Sequence, residues 1–168
     1  MSEGRVFELI RAVDDVNRRL LEALESVPPD LFDRPPAPDE WSVAQVIGHA
    51  LESQDFWVGQ LERLAREDRP AIGRRTEAER QRRIHGFTYG RPKTPEEARA
   101  RLSRVAEETR TRLGRLPAEA FGRTAIHPDR GELTGAQVVE YLLVEHLRGH
   151  VDQVYATVRQ LQPESDRV

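Results

Sequence analysis

Cysteine is absent from this 168-residue chain, which excludes disulfides, thiolate metal ligands and a cysteine nucleophile. Any bound metal must therefore rest on histidine and oxygen ligands. Lysine is nearly absent as well, since Lys93 is the only one and every other cationic side chain is an arginine. The arginines are spread over every segment and mostly alternate with acids, which reads as a bias of the source genome. An excess of positive charge is missing too: the formal net charge of −3 gives no general attraction to nucleic acid or an anionic membrane. No apolar run approaches the roughly 20 residues of a membrane span, and Met1-Ser2-Glu3-Gly4-Arg5 lacks the apolar core of a signal peptide. A soluble, cytoplasmic protein is the expectation.

The hydrophobic fraction of 38% is low and the charged fraction of 33% is high, which suits amphipathic helices better than a buried parallel sheet. The length is that of one domain with a single core, expected over residues 1–168. Val6, Leu9, Ile10, Val13, Val16, Leu20 and Leu24 repeat at helical spacing and predict a helix from about residue 4 to 26. It ends at Pro28-Pro29, and five prolines between residues 28 and 39 make a stiff crossing loop. Ser42-Val43-Ala44-Gln45 has the form of a capping box and opens a second helix, whose stripe is Val43, Val46, Ile47, Ala50, Trp57, Leu61 and Leu64. His49 falls at the flank of that stripe.

Pro70, Gly73, Gly86, Gly90 and Pro92 break the pattern, so residues 66–93 are read as a long, locally basic connection with a short helix around 76–84. Thr94-Pro95-Glu96-Glu97 starts a third helix, ending near Gly114 to Pro117. The stretch from His127 to Leu133 reads as a turn-rich lead-in. Thr134-Gly135-Ala136-Gln137 is a third capping box and opens a fourth helix running to about Gln160. Four long helices imply an all-α four-helix bundle.

On the fourth helix, Val139, Leu142, Leu143, His146, His150, Val154 and Leu161 share one face at about 100° per residue. An i,i+4 histidine pair is the spacing by which one helix gives a metal two ligands. Two core histidines without a metal would each need a buried polar partner of their own. A third ligand must come from elsewhere in the chain.

The stretch Glu40-Trp41-Ser42-Val43-Ala44-Gln45-Val46-Ile47-Gly48-His49, with Trp57 after it, and Glu145-His146-Leu147-Arg148-Gly149-His150-Val151-Asp152-Gln153 downstream, resembles the DinB-like (DinB/YfiT) superfamily of metal-dependent enzymes. The resemblance covers essentially the whole chain and is carried most by the second and fourth helices. It implies an up-down-down-up bundle, a homodimer, and a divalent metal, zinc or nickel, held by His49, His146 and His150. It also implies a small-molecule reaction, either hydrolysis or transfer of a low-molecular-weight thiol of the bacillithiol or mycothiol type.

Three neutral imidazoles leave coordination positions open, as in a catalytic rather than a closed structural site. By helical geometry Glu52, one turn beyond His49, and Gln153, three residues after His150, are the candidate catalytic side chains. Glu145 and Asp152 point further round and would orient imidazoles from behind, while His85 and Tyr89 would reach over from the long connection or serve only as loop residues. A non-catalytic, stress-related metal-binding or structural module would carry the same motif. A third reading is nucleic-acid binding through the arginine-rich segment 74–91, where Phe87 and Tyr89 follow the arginines. The net charge stands against it.

Overall fold

A computed structural model of the chain describes residues 1–162. The helices begin where side-chain caps satisfy their first amides. Ser2 caps α1 (Glu3–Glu25) through the Arg5 amide, and Ser42 caps α2 (Val43–Arg66) with both arms of its box formed. At Thr94, which caps α4 (Pro95–Gly114), only one arm exists: the threonine accepts from the Glu97 amide, but the Glu97 carboxylate accepts from the Lys93 amide instead. Each such cap contributes about 1 kcal/mol, enough to fix where a helix starts.

The sequence-predicted long connection between the second and third helices contains a helix of its own, α3 (Glu77–Phe87), which packs on α2. Its start is set by a further complete capping box, Thr76 with Glu79. The lead-in before the last helix is a hairpin of two short antiparallel strands, β1 (Thr124–His127) and β2 (Gly131–Thr134), paired from Thr124↔Thr134 to His127↔Gly131. Gly131 turns the chain with φ of +69°, a conformation that L side chains rarely adopt. The segment after α2 is tied to the hairpin, since the Ile72 amide donates to the Ile126 carbonyl and the Ile126 amide to the Pro70 carbonyl.

The final rod is continuous but not uniform. It runs through α5 (Gly135–Val139), a π-helical turn (Glu140–Glu145) and α6 (His146–Leu161). In the bundle, α1 packs against α4 and α6, and α2 packs against the same two. Consecutive long helices α1 and α2 therefore occupy opposite corners.

The core divides into two apolar clusters. One gathers Leu9, Val13, Trp57, Leu61, Phe121 and Leu143; the other gathers Leu20, Leu24, Phe32, Ile47, Leu102 and Leu147. Between them Asn17 of α1 donates to Gln54 of α2 at 2.9 Å, both side chains buried. This polar crosslink spans the bundle between its opposite corners. Among the described residues, no helix is long and apolar enough to cross a membrane.

Candidate metal centre

α2 and α6 bring three imidazoles together. His49 Nε2 lies 3.1 Å from His146 Nε2, and His146 Nε2 lies 2.7 Å from His150 Nε2. One ligand atom from each of the three falls within 4.8 Å of the others. The i,i+4 pair on α6 thus meets a third imidazole from α2, His49, the position that the family resemblance and not the spacing singled out.

The protons on these rings are constrained by their neighbours. His150 Nδ1 lies 3.0 Å from Gln153 Oε1, an atom that only accepts, so the proton sits on Nδ1 and Nε2 presents a lone pair. His49 is 3% exposed, and its Nδ1 is buried with no hydrogen-bond partner. The His49 Nδ1 stays unmet whatever the Nε2 atoms bind; what hydrogen bonding cannot supply is a proton for each Nε2 contact, since with His150 Nε2 a lone pair at most one of the two contacts, His49–His146 or His146–His150, can be a hydrogen bond. A divalent cation accepting the three Nε2 lone pairs fits this donor set, which is neutral, nitrogen-only and borderline-soft.

The electrostatics favour the same state. Burial, then His150 and His146, then Arg83 and Arg74 push the His49 imidazolium down to about 2. Burial, then His150, Arg83 and Arg74, push His146 down to about 4. Burial also lowers His150, although the Gln153 hydrogen bond opposes it. All three rings are neutral at pH 7 and ready to act as ligands.

An aromatic lid from α3 covers one side. Phe87, at the end of α3, stacks on Trp41 with centroids 4.5 Å apart, and Trp41 meets the His49 ring nearly edge-on at 5.3 Å. The lid can approach because two glycines face each other: a Cβ on Gly48 would sit 2.3 Å from the Gly86 carbonyl oxygen.

Several expectations shift. His49, expected at a rim, is buried. Glu52 makes no hydrogen bond to the three imidazoles among the described residues. Both of its carboxylate oxygens accept from Arg74, at 2.9 and 2.6 Å, and Arg82 stands 3.6 Å away. Glu145 and Asp152 are exposed and, among the described residues, hydrogen-bond no imidazole; the orienting contact behind His150 comes from Gln153. His85 and Tyr89 pair with each other at 6.0 Å and are exposed; the side chain that reaches over from this segment is Phe87. Sequence reasoning missed Phe87 as part of the site, and its one available signal was a large apolar residue, flanked by Ile84 and Tyr89, after an arginine-rich run.

The model of the DinB superfamily matches residues 12–154. Among solved structures, the chain is similar to YfiT from Bacillus subtilis with a TM-score of 0.74 and 22% identity, over 96% of this chain and 90% of that one. That protein is described as a probable metal-dependent hydrolase with an unusual four-helix bundle topology. No curated protein matches the chain.

Proposed function

We infer that this chain, which belongs to the DinB superfamily, is a metal-dependent enzyme acting on a small molecule, with a divalent cation held by His49, His146 and His150. The observation that carries this reading is the convergence of three Nε2 atoms, one of them fixed as a lone pair by Gln153, on contacts of 3.1 and 2.7 Å that hydrogen bonding cannot both satisfy. When bound, the cation supplies Lewis acidity and the activated nucleophile that a chain without cysteine lacks. Zinc and nickel both suit imidazole ligands.

The protein's own groups divide the remaining work. Gln153 is a positioning residue, holding the His150 ring so that Nε2 faces the trio. Glu52 was a candidate for proton transfer; its two-pronged pairing with Arg74 supports a role in holding that guanidinium instead. Trp41 and Phe87 exclude water from one side of the centre. Hydrolysis and transfer of a small thiol are the two reaction classes this centre suits, and the hydrolase description of YfiT favours the first. The opposite-corner placement of α1 and α2 is in keeping with an up-down-down-up helix course, and a homodimer is the assembly we propose.

A second reading, a metal-binding module without turnover, draws on the Trp41–Phe87 lid over His49. Both readings begin with the same measurement. Elemental analysis of protein purified without an affinity tag should find about one divalent ion per chain, lost in His49→Ala and in His146→Ala. Metal that is absent, or that survives both substitutions, refutes the centre. Turnover of small esters, amides or thiol acceptors by the loaded protein, abolished in both variants, separates the enzyme from the module.

A further inference from the structure

A second concavity, about 400 Å³, opens between α3 and the hairpin. Its apolar wall is Trp57, against whose ring the His127 imidazole is nearly parallel with centroids 5.8 Å apart, and Ile84, an exposed apolar side chain of α3. Arg74, Arg80 and Arg83 line it with three guanidinium groups, against a single carboxylate, Asp129.

His127 is 9% exposed and its tautomer is dictated by the backbone. Its Nδ1 accepts from the main-chain amides of Asp129 at 3.2 Å and Arg130 at 3.3 Å. An imidazole accepting there carries its one proton on Nε2. Burial lowers its pKa further, so the ring remains a neutral Nε2–H donor at pH 7. Among the described residues that Nε2–H has no partner, and His127 lines the cleft.

The three arginines are not equivalent. Arg74 is committed to Glu52 and Arg80 to Glu77. Arg83 makes no ion pair or hydrogen bond among the described residues; its guanidinium lies 5.9 Å from the Phe87 ring centroid. Phe87 in turn meets His49 edge-on at 6.4 Å. A cation without an ion pair and a donor without a protein partner, on a ring otherwise largely buried, therefore share one concavity, and the ring beside that cation, Phe87, also borders the three-histidine centre.

We propose that this cleft binds the anionic head of a small molecule, a carboxylate or a phosphate, between the Arg83 guanidinium and the His127 Nε2–H, with an apolar or planar body lying along Ile84 and the small part of Trp57 that the cleft reaches. A guanidinium fork with an N–H beside it matches the oxygens of either head group, and an apolar wall takes the uncharged remainder. As the substrate site of an enzyme, the cleft rests on the metal reading above and makes the substrate an anion. As a binding site it stands independently of that reading.

The test is calorimetric titration of the full-length protein, metal-loaded and chelator-treated, with benzoate, phenyl phosphate and the uncharged isostere benzamide. At least one anion should bind tenfold or more tightly than benzamide in both forms, and the tighter of the two identifies the head group. Arg83→Gln, an exposed position whose change leaves the core intact, should reduce that anion to the level of benzamide while metal content stays unchanged. His127→Gln should weaken it several-fold. The proposal is overturned if both anions match benzamide, if Arg83→Gln leaves them unaffected, or if they bind only the metal-loaded form, which would place them on the metal. Anion binding that persists in protein found to hold no metal would sink the metal reading alone and leave the cleft standing.

Discussion

Gly48→Ala sets two magnitudes against each other. Inside a helix, alanine is favoured over glycine by about 1 kcal/mol, so propensity alone makes the variant more stable. The packing between α2 and α3 says the opposite. The new Cβ would lie 2.3 Å from the Gly86 carbonyl oxygen and 2.9 Å from the Arg91 Cα. Both are backbone atoms and cannot rotate aside, so α3 has to move off by about 1 Å, and overpacking of this kind costs typically 1–3 kcal/mol, occasionally more. With the obstruction built from two backbone segments, the upper end applies, and the net result is a loss of about 2 kcal/mol. For a domain of this size that lowers Tm by roughly 4–8 °C.

Gly149→Ala is the matched control. It lies in α6, exposed, with nothing within 4 Å of its ideal Cβ. Propensity should act there unopposed and raise Tm by roughly 2–4 °C. Thermal melts of the two variants beside wild type, with near-ultraviolet circular dichroism to track the stacked Trp41–Phe87 pair, read both effects. If Gly48→Ala were as stable as Gly149→Ala and kept its aromatic signal, α3 would not be seated on α2 as described, and the lid over the histidines would go with it.

Acid should weaken the metal-free fold in a defined window. The folded-state pKa values of His49, His146 and His150 lie below the unfolded value near 6.5, so the unfolded chain binds more protons and stability falls as pH drops from about 6.5 toward 4. By pH 5.5 a ring that stays neutral only when folded costs about 1.3 kcal/mol, so His49 and His146 together cost about 2.5 kcal/mol, with His150 and His127 adding in the same direction. Urea unfolding of chelated protein at pH 7.5 and 5.5 measures this above the range where carboxylates titrate, and a flat profile would show that the rings are not buried as neutral groups. Separately, Arg74→Met should cost about 2–3 kcal/mol, because the Glu52 side chain, 9% exposed, loses its bidentate partner and retains only Arg82 at 3.6 Å. Adding Glu52→Gln should recover at least half of that loss in denaturant melts; purely additive losses would mean that the pair is not coupled.

The long helices were legible because their signals are local and redundant. The Ser42 and Thr134 boxes formed as their residues required, and Pro28-Pro29 ended α1 within a residue or two of the expected point. The hairpin was not legible, since strands of four residues, Thr124–His127 and Gly131–Thr134, are too short to display a period of two. α3 was only partly so: Glu77–Phe87 is mostly polar and is held by one cap, by backbone contact through Gly48 and Gly86, by the Arg82–Asp55 ion pair and by a single stacked ring, Phe87, none of which leaves an apolar stripe. Within the site, the Gln153 contact to His150 lies at i,i+3 on one helix and is a consequence of spacing. The partner of Glu52 lies 22 residues away across a loop, and no periodicity reports it.

The π turn explains why the histidines sit where they do. In an uninterrupted helix the stripe of Val139, Leu142 and Leu143 continues through His146 and His150, which would place both rings at the centre of the apolar face. A π turn inserts about one residue into the helical count and rotates the downstream residues by roughly 100°. Leu142, Leu143 and Val144 are buried in succession across it, and the core row of α6 becomes Leu147, Val151, Val154 and Val158. His146, His150 and Gln153 fall in the adjacent row, beside the core rather than within it. There they meet His49, which α2 brings in from the buried side. The rotation is what turns two core-facing histidines into two arms of a three-nitrogen centre, at the edge of the apolar face instead of sealed inside it.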